Sequence, residues 1–161
     1  MSDLVSIRQA VQVRVDAMIQ DRGDWPCRKG CDDCCRHLAS IPLVSRTEWE
    51  EIREALDELP AEVANAARAR IRESAAGARP FICPLLDRDS GTCMVYAARP
   101  VECRTYGFYA ERDRVLGCNR IEKLAAVAPN VIWGNHDTVT AELRELGPAA
   151  PLYDWLDAVA S

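Results

Sequence analysis

Four thiols fall within nine residues, at Cys27, Cys31, Cys34 and Cys35, in the spacing C-x3-C-x2-C-C. Four more follow at Cys83, Cys93, Cys103 and Cys118. This density limits the fold more than any other feature, because each sulfur needs a ligand, a partner or a protected environment. The chain's 161 residues suffice to bury a core without covalent help. Its start, Met1-Ser2-Asp3-Leu4-Val5-Ser6-Ile7-Arg8, lacks the basic residues, apolar run and small-residue cleavage site of a secretory leader. The expectation is therefore a cytoplasmic protein, whose thiols stay reduced and serve as metal ligands or redox groups rather than as disulfides.

Charge narrows the partners. The net charge of −5 argues against a surface for phosphate backbones or anionic lipid. Lysines and arginines are scattered among acids, as in Arg68, Arg70 and Arg72 with Glu62 and Glu73, which reads as a solvated helix face. No run of about 18 apolar residues suggests a membrane span. A metal ion, and beyond it another protein, is the expected partner, with no nucleic acid and no membrane.

Apolar periodicity predicts a mainly α protein, a small helical bundle with an irregular cysteine-rich segment and at most a short hairpin, folded as one domain over residues 1–161. Leu4, Ile7, Val11, Val15 and Met18 form one stripe of a helix over about 3–21, ended by Gly23. Cys31 to Cys35 suits a single helical turn. Ile41 to Val44 is extended, and Ser45-Arg46-Thr47-Glu48 has the spacing of a capping box for a helix presenting Trp49, Ile52, Leu56 and Leu59. Pro60 opens a helix over 61–76 presenting Val63, Ala67 and Ile71. Asp87 to Gly91 turns the chain back toward Cys93, Pro100 starts a short helix, and 105–110 with 114–118 form a hairpin about Arg112-Asp113. Helices over about 120–127, 136–146 and 151–160 follow, the last presenting Leu152, Trp155, Leu156 and Val159.

Zinc takes four thiolates or imidazoles in a tetrahedron at about 2.3 Å, and iron–sulfur clusters are likewise held by four thiolates. Eight thiols allow two four-thiolate sites or one bridged multinuclear site. The side chains of adjacent Cys34 and Cys35 diverge, which favours two nearby centres or a bridged one. Eight thiolates and two divalent ions would leave four negative charges to offset, and Arg28, Lys29, Arg36, Arg99 and Arg104 lie near cysteines in sequence. Tyr96, Tyr106, Phe108 and Tyr109 are expected to cover the metal.

Competing readings are weaker. C-x3-C-x2-C is also the radical-SAM spacing, but that motif carries an aromatic residue where Asp33 stands, and no strand–helix alternation for a barrel is present. In Cys31-Asp32-Asp33-Cys34, two acids would raise a thiol pKa, the wrong direction for an attacking thiolate. His37 is a possible extra ligand, though an exposed residue after a turn is the plainer reading. His136 reads as part of a helix start.

The first cluster, then Phe81-Ile82-Cys83-Pro84-Leu85 and Gly91-Thr92-Cys93-Met94-Val95-Tyr96-Ala97-Ala98-Arg99-Pro100-Val101-Glu102-Cys103-Arg104, together resemble the YkgJ-like CxxCxxCC family of zinc- or iron-chelating cysteine-cluster proteins. The first interval here is three residues, where the family's name has two. All eight family cysteines have a counterpart: Cys27, Cys31, Cys34, Cys35, Cys83, Cys93, Cys103 and Cys118. The resemblance implies that these bind zinc or an iron–sulfur cluster. A related cluster occurs in flagellin lysine methylases, where it goes with an iron–sulfur cluster. Without a further cofactor-binding domain, that activity does not carry over. Two functions remain: a metal-binding accessory or interaction module, and a metal- or cluster-dependent enzyme with an open metal position.

Overall fold

In a computed structural model, residues 2–158 are described. Val159, expected on the last helix, lies outside them. The described residues include eight α-helices and seven short strands, so the mainly helical class holds. No helix among them is long and apolar enough to cross a membrane. Chain contacts divide into two compact units, each with its own apolar core.

The first unit comprises the chain up to Lys29 and Val101–Leu146. Helix α1 (Leu4–Asp21) buries the expected stripe of Leu4, Ile7, Val11, Val15 and Met18. It begins where the Asp3 carboxylate accepts hydrogen bonds from the Ser6 amide and hydroxyl, both at 2.9 Å. The short α5 (Val101–Thr105) packs on α1. β4 (Tyr109–Glu111) and β5 (Arg114–Val115) form the expected hairpin, and β4 also pairs in parallel with β6 (Gly134–Asn135). Gly134 lies so close under the Tyr109 ring that a methyl group has no room there. Helices α6 (Asn119–Val127) and α7 (His136–Glu145) complete the unit, the latter capped by Asn135. Trp25 is buried against Phe108 and Trp133, and its indole N–H donates to the Gly107 carbonyl at 3.1 Å.

The second unit comprises Gly30–Pro100 and the chain from Gly147 onward. Its cysteine-bearing turn is α2 (Asp33–Arg36). β1 (Leu43–Ser45) leads into α3 (Arg46–Asp57) through the expected capping box. Ser45 Oγ accepts from the Glu48 amide at 3.3 Å, and Glu48 Oε2 accepts from the Ser45 amide at 2.8 Å. Trp49, Ile52 and Leu56 enter the core, while Leu59 lies past the helix end and packs at its edge.

Helix α4 (Ala61–Glu73) ends earlier than expected, continuing as a 3-10 turn over Ser74–Ala76. It also buries Ala64, Ala67 and Ile71 rather than Val63, which is exposed. The stripe is set by packing against α3 and against α8 (Leu152–Ala158), where alanines permit close approach. β2 (Leu86–Asp87) and β3 (Thr92–Cys93) form the expected hairpin. β7 (Ala149–Pro151) closes antiparallel on β1, with Val44 opposite Ala150. Trp155 secures this pair by donating its indole N–H to the Val44 carbonyl at 2.8 Å.

Candidate metal centre

Five cysteines belong to the second unit: Cys31, Cys34, Cys35, Cys83 and Cys93. Cys34 and Cys35 ride on α2, and Cys31 precedes it. The turn is joined to the extended segment that carries Cys83 by three backbone hydrogen bonds. Leu38 and Phe81 exchange N–H···O bonds at 2.9 Å, and the Cys83 amide donates to the Cys35 carbonyl at 2.7 Å. Hairpin pairing sets Leu86 opposite Cys93, and the Met94 amide donates to the Leu85 carbonyl at 2.9 Å. Cysteines distant in sequence, Cys35, Cys83 and Cys93, are thus located by main-chain geometry rather than by flexible side chains.

The amides after two of these cysteines point back at sulfur. The Leu85 amide faces the Cys83 thiol and the Val95 amide that of Cys93, while the Leu86 amide donates to the Cys83 carbonyl at 3.1 Å. Such N–H groups favour the thiolate, yet burial outweighs them at both positions. Burial pushes the Cys83 thiol up to about 12, and the nearby charges of Cys93 and Cys34 add to that rise. Burial raises Cys93 as well, against the pull of the Arg99 guanidinium. Cys34 is raised by the hydrogen bond from its thiol to Cys35, then by burial and by Cys35's charge. These thiols resist losing protons to bulk base, whereas a bound cation would displace those protons. The donor chemistry therefore fits a thiophilic metal.

Cations lie close to this group. Arg36 Nε donates to Asp32 Oδ2 at 2.5 Å and Nη2 to the Arg88 carbonyl at 3.1 Å, holding α2 to the hairpin turn. Arg99 lies over the Tyr96 ring at 3.7 Å and donates to the Tyr96 carbonyl at 3.0 Å. Of the other cations named from the sequence, Arg104 is half-buried in the first unit, and Arg28 and Lys29 are exposed.

The first unit contains Cys27, Cys103 and Cys118. Cys27 lies directly against Gly107, whose backbone has φ +89°. Gly107 in turn donates its amide to the Leu116 carbonyl at 2.6 Å. Cys118 stands at the N-cap position of α6 without a capping hydrogen bond from its side chain, and Cys103 lies on α5, four residues before Gly107. None of the eight cysteines is in a disulfide. Among the described residues, no three His, Cys, Asp or Glu side chains converge in an ion-holding arrangement.

Both histidines have structural surroundings. Exposed His37 turns Nδ1 to the Asp33 carbonyl oxygen at 2.9 Å, within its own turn. His136 begins α7, with Nδ1 3.4 Å from Thr140 Oγ1. The aromatic residues expected over a metal do other work. Phe108 and Tyr109 are buried in the first unit's core, Tyr106 is exposed, and Tyr96 carries Arg99.

Sequence reading missed two positions. Gly107 gives no local signal, because its neighbour Cys27 is brought there by the fold. Arg70, expected on a solvated face, is half-buried and donates to the Pro84 carbonyl at 3.2 Å. Its place beside the buried positions 67 and 71 was the available hint.

No curated protein and no solved structure shows significant similarity to the chain. Residues 26–127 match the CxxCxxCC family, described as a putative zinc- or iron-chelating domain. With well over half its length matched, the chain belongs to the CxxCxxCC family.

Proposed function

We propose that the protein holds zinc or an iron–sulfur cluster through its cysteine thiolates and acts as a metal-binding accessory or interaction module, in a reducing cytoplasmic setting. The observation carrying this reading is the paired turn at Cys83 and Cys93. In both, a following amide faces the sulfur while burial keeps the metal-free group protonated, and at Cys83 the neighbouring Cys93 and Cys34 add to that effect. A cation resolves that conflict: it replaces the protons, and the amides then stabilise the thiolates. The candidate ligands are Cys31, Cys34, Cys35, Cys83 and Cys93 in one unit and Cys27, Cys103 and Cys118 in the other.

Anaerobic purification followed by elemental analysis and a visible spectrum tests this. A brown protein absorbing near about 400 nm means a cluster, and a colourless one containing zinc means thiolate zinc sites. A folded, metal-free protein that takes up neither metal on reconstitution would sink the proposal.

One feature favours the enzyme alternative. Cys27, Cys103 and Cys118 share the first unit, and if a metal drew these three together, three protein ligands with an open position would be the pattern of catalytic zinc. Cobalt-loaded protein whose spectrum shifts on adding azide or a small thiol would support an open position, and an unchanged spectrum would count against it.

A further inference from the structure

Helix α4 carries three arginines with different surroundings. Arg68 pairs with Asp57 and Arg72 is exposed. Arg70 turns toward the thiol hairpin. Its Nε donates to the Pro84 carbonyl at 3.2 Å, and its Nη2 reaches Met94 Sδ at 3.7 Å. Pro84 follows Cys83 and Met94 follows Cys93. One guanidinium therefore grips the residue after each of the two cysteines whose sulfurs face amide donors.

Being planar, the guanidinium presents both prongs at a fixed separation, which a lysine ammonium on a flexible stem cannot do. Its charge also reaches the Asp87 carboxylate on the same hairpin, so thiolate neutralisation is not its distinguishing contribution. Geometry is.

We propose that Arg70 is a positioning residue of the thiolate site, fixing the Cys83 turn relative to the Cys93 turn. The inference rests on the metal-binding reading above. Groups that orient metal ligands from outside the coordination shell typically alter affinity by about 10- to 100-fold when removed. That range sets the expected effect.

The test uses cobalt(II) titrated anaerobically into reduced, metal-free full-length protein, read by thiolate-to-cobalt charge-transfer absorption and by chelator competition. Arg70→Met is expected to weaken cobalt binding by about 10- to 100-fold, and Arg70→Lys by at least about 10-fold with altered visible bands. Arg68→Met, on the same helix, should stay within about threefold. A merely structural Arg70 would lower the unfolding midpoint of the metal-free protein and leave the cobalt spectrum of the folded variant unchanged. That outcome overturns the proposal, as does equal weakening by Arg68→Met. If Arg70→Met does not fold, Arg70→Lys decides alone, and wild-type affinity and spectrum there overturn it. Wild-type protein that takes up no cobalt removes the metal reading and Arg70's role with it. Wild-type binding with unaffected Arg70 variants removes only the positioning role.

Discussion

Replacing Gly107 with alanine tests the packing around Cys27. A methyl group there would fall more than an ångström inside normal contact with Cys27 Sγ, and 3.3 Å from Cys27 Cβ. The backbone cannot easily turn away, because the Gly107 amide donates to Leu116 and its carbonyl accepts from Trp25. Two terms add. Placing a side chain at φ +89° costs about 1–2 kcal/mol, and overpacking a filled site costs about 1–3 kcal/mol. A loss near 3 kcal/mol would lower the melting temperature of a chain this size by about 6–12 °C. The assay is urea and thermal unfolding of the reduced, metal-free protein, run also in a Cys27→Ala background. Removing the sulfur relieves the steric term alone, so Gly107→Ala should cost about 1–3 kcal/mol less there than in the wild type. An equal cost in both backgrounds, or no cost in either, would refute the reasoning.

Three further outcomes are expected. Cys34→Ser should lose bound metal and stability together, because ligand loss couples to folding, and a fully stable variant would show that Cys34 is not a structural ligand. In metal-free protein the Cys83 thiol is raised to about 12 from an ordinary value of 9.0, so its contribution is fully present below about pH 9 and is lost as pH rises toward 12. Urea midpoints should therefore fall between pH 9 and pH 11, less steeply in Cys83→Ala, and parallel profiles would contradict the burial argument. Ser45→Ala removes the cap of α3 and should cost about 1–2 kcal/mol, read as a lower unfolding midpoint. An unchanged midpoint would mean that the cap contributes nothing measurable.

Features carried by interactions within a few residues could be read without the fold. The α1 stripe recurs every three or four residues, Ser45 and Glu48 lie one helical turn apart, and the Asp87 to Gly91 turn joins neighbouring strands. The eight cysteines and their order likewise sufficed for the family and its metal chemistry. Tertiary structure decided the rest, because it depends on partners far apart in sequence. The β1–β7 pair joins residues more than a hundred positions apart, and β6 lies parallel to β4 for reasons no hairpin pattern carries. Ala64 is buried in place of Val63 because neighbouring helices choose the face of α4, and local propensity does not.

The cysteines themselves divide along that line. Spacing made Cys27, Cys31, Cys34 and Cys35 one local cluster, yet the fold assigns Cys27 to the unit of Cys103 and Cys118 and the other three to the unit of Cys83 and Cys93. Arg70 shows the same limit. Its sequence neighbourhood is that of a solvated helix, and only the chain's return through Pro84 and Met94 turns its guanidinium into a clasp. Sequence alone determined which atoms are available to a metal. Long-range packing decided which of them share a unit and which side chains lie beside the segments that carry them, because those contacts exist only once distant segments meet.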